Sequence, residues 1–283
     1  MHVWTKRCRD ENLDAWRDVI LELPGVNPTC VVATWKPGKV WHTIEVFGES
    51  AAELADISRL LGGSVRAIAD ETWSAGLKRK RGAIHIRNRF SVVESASENP
   101  ARPEIVIPAG MAFGTGDHPT TATCLRLLVD VAERLTAKGK WSLLDVGTGS
   151  GVLAIAARML GADVVEAFDF DPNAVRTAQE NAQLNHITGV KWSVADVLKF
   201  EAVRDFHLVA ANIYSELFRE AWPRLQKAVK SDGWFLLSGI LRAQADECEA
   251  VLRGSGFVVF RKVVRGKWVT MIAERENGER MGA

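Results

Sequence analysis

The amino-acid sequence predicts an α/β protein, in which a doubly wound, mostly parallel sheet ends in an antiparallel hairpin and follows a small α+β domain. Two observations carry this. From about residue 108 onward, short apolar runs alternate with helical periodicity, the pattern of βα units that build a parallel sheet. Ahead of residue 70 the elements run instead as β-α-β-β-α-β, separated by Pro-Gly and Gly-Gly breaks. A chain of 283 residues, 47% apolar and 25% charged, has material for two unequal cores.

The small domain spans residues 1–70. An apolar stretch near Val3-Trp4 is followed by a helix with Leu13, Trp16, Ile20 and Leu23 on one face, closed by Pro24-Gly25. Cys30–Trp35 and Val40–Val46 read as strands joined by the turn Lys36-Pro-Gly-Lys39. Ser50 suits the cap of a second helix carrying Leu54, Ile57 and Leu61, and Gly62-Gly63 ends it before a strand at Val65–Ala69. That order predicts a ferredoxin-like sandwich.

Residues 71–107 read as a linker. They hold Lys78-Arg-Lys-Arg81, Arg87 and Arg89, with a strand-like piece from Ala83 to Phe90. This basic run at 78–89 suits either a solvated turn or contact with an acidic partner such as a ribosomal surface. Over the whole chain, 36 basic residues against 35 acidic ones leave a formal charge of +1, which supplies no global attraction to nucleic acid or membrane. Four scattered cysteines support neither a disulfide framework nor a metal site. The start reaches charged residues at once, and no apolar run approaches the roughly 18 residues of a membrane span, so a cytoplasmic protein is expected.

The third segment, residues 108–283, contains the predicted large sheet. Its strands are expected at Ser142–Val146, Val164–Asp169, Val190–Val194, His207–Asn212, Trp234–Ser238 and Phe257–Val264, with a last one near Trp268–Ala273. The first of them runs into Leu144-Asp-Val-Gly-Thr-Gly-Ser-Gly151 and then into a helix around Leu153, Ala154 and Ala157. Glycines at Gly147, Gly149 and Gly151 let backbone approach a ligand where a Cβ would collide. A dinucleotide fold uses G-x-G-x-x-G, whereas here the third glycine arrives one residue early, as G-x-G-x-G. That spacing, with Asp145 three residues before Thr148, favours a Rossmann-like methyltransferase of class I over an NAD-dependent enzyme.

Two acidic residues fit the same site. Asp169 closes the second strand of this sheet, twenty-two residues beyond Gly147, where a carboxylate can accept hydrogen bonds from both ribose hydroxyls. Asp171 precedes Pro172 and reads as a helix cap. Asp196, after the third strand, reads either as an acceptor for an adenine amine or as a cap.

Asn212 ends the fourth strand, at the edge where ligands of open α/β sheets bind. Its amide can orient an incoming amine, or it can make an Asx-turn. Tyr214, the only tyrosine, either walls an amine pocket with a cation-π contact or packs. Both Asn212 and Tyr214 are therefore candidate catalytic residues. Phe113, in Ala112–Thr121, reads as an apolar lid over a cofactor, and Thr120 and Thr121 suit the start of the next helix. His118, followed by Pro119 in a turn, reads as a structural hydrogen-bonder rather than a base.

Taken together, Pro108–Thr121, Leu144–Gly151, Ala211-Asn-Ile213 and Leu237–Leu241 with Gln244 resemble the bacterial ribosomal protein L11 methyltransferases, the PrmA family. The resemblance covers residues 108 to 274, and its most specific motif is Ala112-Phe-Gly-Thr-Gly116. It implies S-adenosyl-L-methionine as cofactor, an amino-terminal domain that grips a protein substrate, and cofactor contacts at Thr121, Gly147, Asp169 and Asn212. It also implies methylation of lysine side chains or the terminal amine of ribosomal protein L11. This chain departs from the family pattern at Asp117, Thr148 and Tyr214-Ser215. Another protein, a small amine, or a non-enzymatic binding module are the alternative expectations for the client.

Overall fold

The computed structural model describes residues 2–9, 16, 19–20, 23, 26, 31–35, 41–48, 50–67, 82–108 and 119–276. The helix expected at 13–23 falls largely outside them, as do the basic run 78–81, the Phe113 and His118 loop and the last seven residues. The chain divides into two compact units, Met1–Lys80 and Arg81–Ala283.

In the first unit, β1 (His2–Arg9), β2 (Val31–Trp35), β3 (Trp41–Gly48) and β4 (Ser64–Ala67) form a sheet in the order β2-β3-β1-β4. Every neighbouring pair is antiparallel, so β1 and β2 are joined across β3 as in a split β-α-β unit. Period-two alternation sends Trp4, Cys8, Ile44 and Val46 to one face, where Ile20 and helix α1 (Ala55–Leu61) with its Ile57 cover them. The Trp4 indole N–H donates to the Gly62 carbonyl at 2.6 Å, which pins the end of α1 to β1.

The second unit opens with a three-stranded sheet, β5 (Ile84–Ile86), β6 (Phe90–Val93) and β7 (Glu104–Val106), in that order. The strand-like piece from Ala83 to Phe90 is thus a hairpin. Arg87 takes φ +50 at the turn, a conformation that glycine usually occupies and that the sequence does not advertise. Ile86, Phe90, Val92, Ile105 and Ile107 belong to the same apolar cluster as the main sheet. The Asn185 side chain both donates to and accepts from the Val106 backbone, at 2.7 and 2.6 Å, and ties β7 down.

The main sheet follows. Helix α2 (Pro119–Lys138) leads to β8 (Ser142–Val146), α3 (Val152–Met159), β9 (Val164–Asp169), α4 (Pro172–Leu184), β10 (Val190–Val194) and β11 (Phe206–Asn212). Then come α5 (Ser215–Leu225), β12 (Val229–Leu241), α6 (Ala245–Gly254), β13 (Phe257–Arg265) and β14 (Trp268–Arg275). The strand order is β10-β9-β8-β11-β12-β14-β13, parallel except that β14 runs against both neighbours.

The inner strands β8 and β11 and the middle of β12 are buried on both faces, which is why they are written as continuous apolar runs, whereas the edge strands β10 and β13 are largely exposed. Leu143, Leu208, Ala210 and Leu236 face α2 and α3, while Leu144, Val209, Ala211 and Leu237 face α5 and α6. From β8 the chain winds one way to β10 and then crosses back to β11. The β8–β11 boundary is therefore the topological switch point, where an open sheet leaves a crevice at its carboxyl edge.

Candidate active site

A cavity of about 1000 Å³ lies at that carboxyl edge, and its lining comes from the ends of four strands. Val146, Gly147 and Gly149 come from the end of β8 and the turn after it, Phe168–Phe170 from the end of β9, Val194–Leu198 from that of β10, and Asn212–Tyr214 from that of β11. Thr120, Leu217, Gly239 and Trp268 complete the wall.

The floor is the glycine turn, and it is fixed by backbone bonds. The amides of Gly147 and Thr148 donate to the Phe168 carbonyl at 2.9 and 3.0 Å, and the Gly151 amide donates to the Thr148 carbonyl at 2.9 Å. Gly151 starts α3 at φ +80, and a Cβ there would stand 2.8 Å from the Ala178 Cβ. A Cβ on Gly147, at φ +68, would stand 3.1 Å from the Ile213 side chain and project where the cavity opens. Close packing of α3 against α4 demands the one glycine, and access to the turn demands the other.

Beneath the turn, Asp145 is buried and accepts a 2.7 Å hydrogen bond from the Thr148 hydroxyl. Burial pushes its carboxyl up to about 7, opposed by the bonds from Thr148 and the Ala154 amide and reinforced by the Asp169 charge. The neighbouring Cys124 thiol is pushed up to about 12, again by burial. Asp145 supports the turn from below and does not line the cavity.

Asp169 does line it. One of its oxygens accepts from the Gly149 amide at 2.9 Å and the other from the Asp171 amide at 3.1 Å. Each oxygen keeps a lone pair, so the carboxylate is oriented yet still able to accept hydroxyls. Asp171 caps α4 through the Asn173 amide at 2.8 Å. Asp196 is divided between its two readings: one oxygen accepts from the Leu198 amide at 2.9 Å, while the residue also forms part of the wall.

Asn212 occupies the end of β11 with its side-chain oxygen buried and without a hydrogen-bond partner among the described residues. Its amide nitrogen lies 3.5 Å from the Thr120 hydroxyl, at the limit of a hydrogen bond. A buried amide oxygen left unmatched costs about 1–3 kcal/mol. A ligand N–H or O–H at this point relieves that cost.

Tyr214 is 60% exposed in the cavity mouth, just ahead of α5. Thr121 is buried in the first turn of α2 and is not part of the wall, where its neighbour Thr120 stands instead. Phe113 lies outside the described residues. Sequence reasoning missed Phe170, which is 75% exposed at the cavity edge, together with Ile213, Leu217 and Trp268. The signal for Phe170 was present in Phe168-Asp-Phe-Asp171, where an aromatic side chain stands between two carboxylates just past a strand end.

The fit to a nucleoside-bearing methyl donor is specific. The cavity offers an oriented carboxylate, a glycine turn without side chains, apolar wall at Phe170, Val197 and Leu198, and a buried acceptor on Asn212 that has no hydrogen-bond partner among the described residues.

Comparison with known proteins points the same way. A family model described as ribosomal protein L11 methyltransferase (PrmA) matches residues 30–276. The ribosomal protein L11 methyltransferase of Listeria monocytogenes is 38% identical over 217 residues, covering 75% of this chain and 67% of that protein. The protein of the same name from Anoxybacillus flavithermus is 34% identical over 217 residues, covering 75% and 68%. The crystal structure of a ribosomal protein L11 methylase from Lactobacillus delbrueckii subsp. bulgaricus superposes with a TM-score of 0.61 at 30% identity, covering 69% of this chain and all of that one.

Proposed function

The chain belongs to the ribosomal protein L11 methyltransferase (PrmA) family of S-adenosylmethionine-dependent enzymes, and from that premise we propose that it methylates amines of ribosomal protein L11. The observation that carries the reading is the buried oxygen of Asn212, without a hydrogen-bond partner among the described residues, in the same cavity as Asp169 and the glycine turn.

S-adenosylmethionine supplies a methyl already activated on a sulfonium, so what the transfer asks of the protein is in-line placement. Asp169 accepts the ribose hydroxyls, with its two oxygens held by the Gly149 and Asp171 amides. Gly147 and Gly149 bring backbone close to the ligand, Gly151 lets α3 pack closely beneath them, and Phe170 with Val197 and Leu198 flanks the base. The second oxygen of Asp196, 3.8 Å from the Lys199 ammonium, is the acceptor on offer to the exocyclic amine.

A lysine amine, with an ordinary pKa near 10.4, must lose its proton before it can attack. The apolar wall of Ile213, Leu217 and Trp268 disfavours the charged amine and lowers that pKa. Asn212 accepts one N–H and thereby aims the nitrogen lone pair. Tyr214 walls the entrance, where its ring face suits a methylated ammonium.

Residues 1–70 act as the substrate-recognition domain and 71–107 as the connection to the catalytic segment 108–283. The later part of that connection, β5–β7, packs into the large core and so serves as a fixed extension of the catalytic segment. On the α2 side Thr120, which lines the cavity, stands where the family resemblance expects a contact at Thr121, and a Phe113 lid rests on that resemblance alone. Among the described residues no helix is long and apolar enough to cross a membrane, and a client made in the cytoplasm places the enzyme there.

The test is incubation of the purified full chain with labelled cofactor and ribosomal proteins. Label on L11 is expected. Label on another protein or a small amine moves the client, and a chain that binds no cofactor reduces the fold to a binding module.

A further inference from the structure

Away from the cofactor cavity, the second unit carries a groove of about 710 Å³ between the β5–β6 turn, α2 and β13, with a smaller recess of about 70 Å³ beside it. Five guanidiniums line the two, from Arg87, Arg126, Arg134, Arg261 and Arg265, against the carboxylates of Asp130 and Glu133. Cofactor cavity and groove have no lining residue in common. We propose that this groove binds single-stranded RNA through its phosphates and bases.

Charge alone would not distinguish RNA from any other polyanion, but the placement of these groups does more. Asp130 organises two of them: it holds Arg87 in a bidentate pair at 2.9 and 2.6 Å and takes Arg261 at 3.1 Å. The shared carboxylate brings two guanidiniums together, and each has more N–H donors than this pairing uses, so both can also donate to phosphates. Arg87 achieves it from a left-handed backbone at φ +50, an uncommon conformation for a non-glycine residue.

Arg126 and Arg265 share the recess, whose described lining holds no carboxylate. Burial, then the charges of Arg265 and Arg87, pull the Arg126 guanidinium below its ordinary pKa. Packed like charges of this kind are relieved when an anion bridges them.

The groove also presents an aromatic platform. Phe260 is 53% exposed on the edge strand β13, and Arg134 stacks on its ring at 4.6 Å. Trp234 supports Phe260 edge-on at 5.5 Å from below. A guanidinium spread on an aromatic ring, beside a row of phosphate-binding forks, is a surface on which an unstacked base can lie. An acidic peptide has no use for such a platform, and a lipid surface would call for a protruding apolar edge rather than a recessed, cation-lined one.

The test is fluorescence anisotropy of the full chain with a short single-stranded RNA over a salt series, compared with polyglutamate and with anionic phospholipid vesicles. RNA binding on the order of micromolar at low salt is expected, weakening as salt rises. Arg265→Glu together with Arg126→Glu should lower RNA affinity at least tenfold and reduce the salt slope by about 0.7 for each phosphate no longer neutralised. Phe260→Ala should weaken RNA while leaving heparin binding unchanged. Arg265→Gln, at an exposed position, serves if the double variant does not fold, and an unchanged cofactor titration shows that the cavity is intact. The inference falls if no RNA binds at low salt, if the arginine variants bind it as the wild type does, or if polyglutamate or vesicles bind as tightly. Methylation of L11 can fail while this result stands, and the reverse, because the two sites are scored by different ligands.

Discussion

The Asp169 carboxylate accepts the Gly149 amide at 2.9 Å, so the end of the second strand of the main sheet is bonded directly to the glycine turn that follows the first. Substituting Asp169 therefore removes a ligand acceptor and loosens the turn together. Asp169→Ala is expected to weaken S-adenosylmethionine binding by about 1.5–3 kcal/mol, the range for hydrogen bonds to a charged group. Asp171→Ala is the matched control. It loses the α4 cap and about 1 kcal/mol of stability but keeps cofactor affinity. Isothermal titration beside thermal melting separates the two, and equal losses of affinity would remove Asp169 from the ribose site.

Gly151→Ala tests the packing beneath the turn. Its new Cβ meets the Ala178 Cβ at 2.8 Å and must adopt φ +80, so strain adds to overpacking. A loss of about 1–3 kcal/mol is expected from chemical denaturation, as is usual for overpacked sites. Cofactor affinity should fall with it, because α3 can relieve the clash only by shifting the turn. A variant as stable as the wild type would mean that α3 and α4 are less closely packed than the 2.8 Å approach implies.

The buried carboxyl of Asp145 ties stability to pH. Its folded-state pKa is raised from 3.8 to about 7, so the folded protein holds a proton that the unfolded chain has released. The stability this group contributes is present in full below about 4 and is lost as pH rises toward 7, with little change above it. Asp145→Asn keeps a neutral side chain in place and should flatten that part of the profile. Melting temperatures of both proteins between about pH 4 and 8 check the sign. A difference between wild type and Asp145→Asn that stays flat across this range would show Asp145 to be ionised throughout, and one that grows with pH would show its carboxyl lowered instead of raised.

Much of this architecture was legible because inner parallel strands must be written in apolar residues, as Ser142–Val146 and most of Val164–Asp169 are, while the edge strand Val190–Val194 shows itself by alternating Val190, Trp192 and Val194 with polar residues. Strand-end residues were legible for the same reason, since the switch point decides which ends meet. Arg87 was not, because its positive φ leaves no mark in the local sequence and its partner Asp130 is distant along the chain. Phe170 escaped because an exposed aromatic follows no periodicity. The arginine groove escaped as well. Its members come from a hairpin turn, from α2 and from β13, widely separated along the chain, whereas sequence reading finds only runs such as 78–81.

Asn212 carries the sharpest prediction about chemistry. Its buried oxygen has no hydrogen-bond partner among the described residues and gains one when an amine arrives, so its loss should appear in turnover rather than in folding. Asn212→Ala is expected to fold at least as stably as the wild type, since an orphaned buried acceptor is removed. Its kcat should fall by about 10²-fold, the order expected when a reacting group loses its orientation. The KM for S-adenosylmethionine should change less than kcat. Tyr214→Phe retains the ring and should leave kcat near the wild-type value, whereas Tyr214→Ala should raise KM for the protein substrate. If Asn212→Ala instead lost only cofactor affinity at unchanged kcat, the residue would belong to the cofactor side of the cavity, and the amine would have to be oriented from elsewhere in the wall.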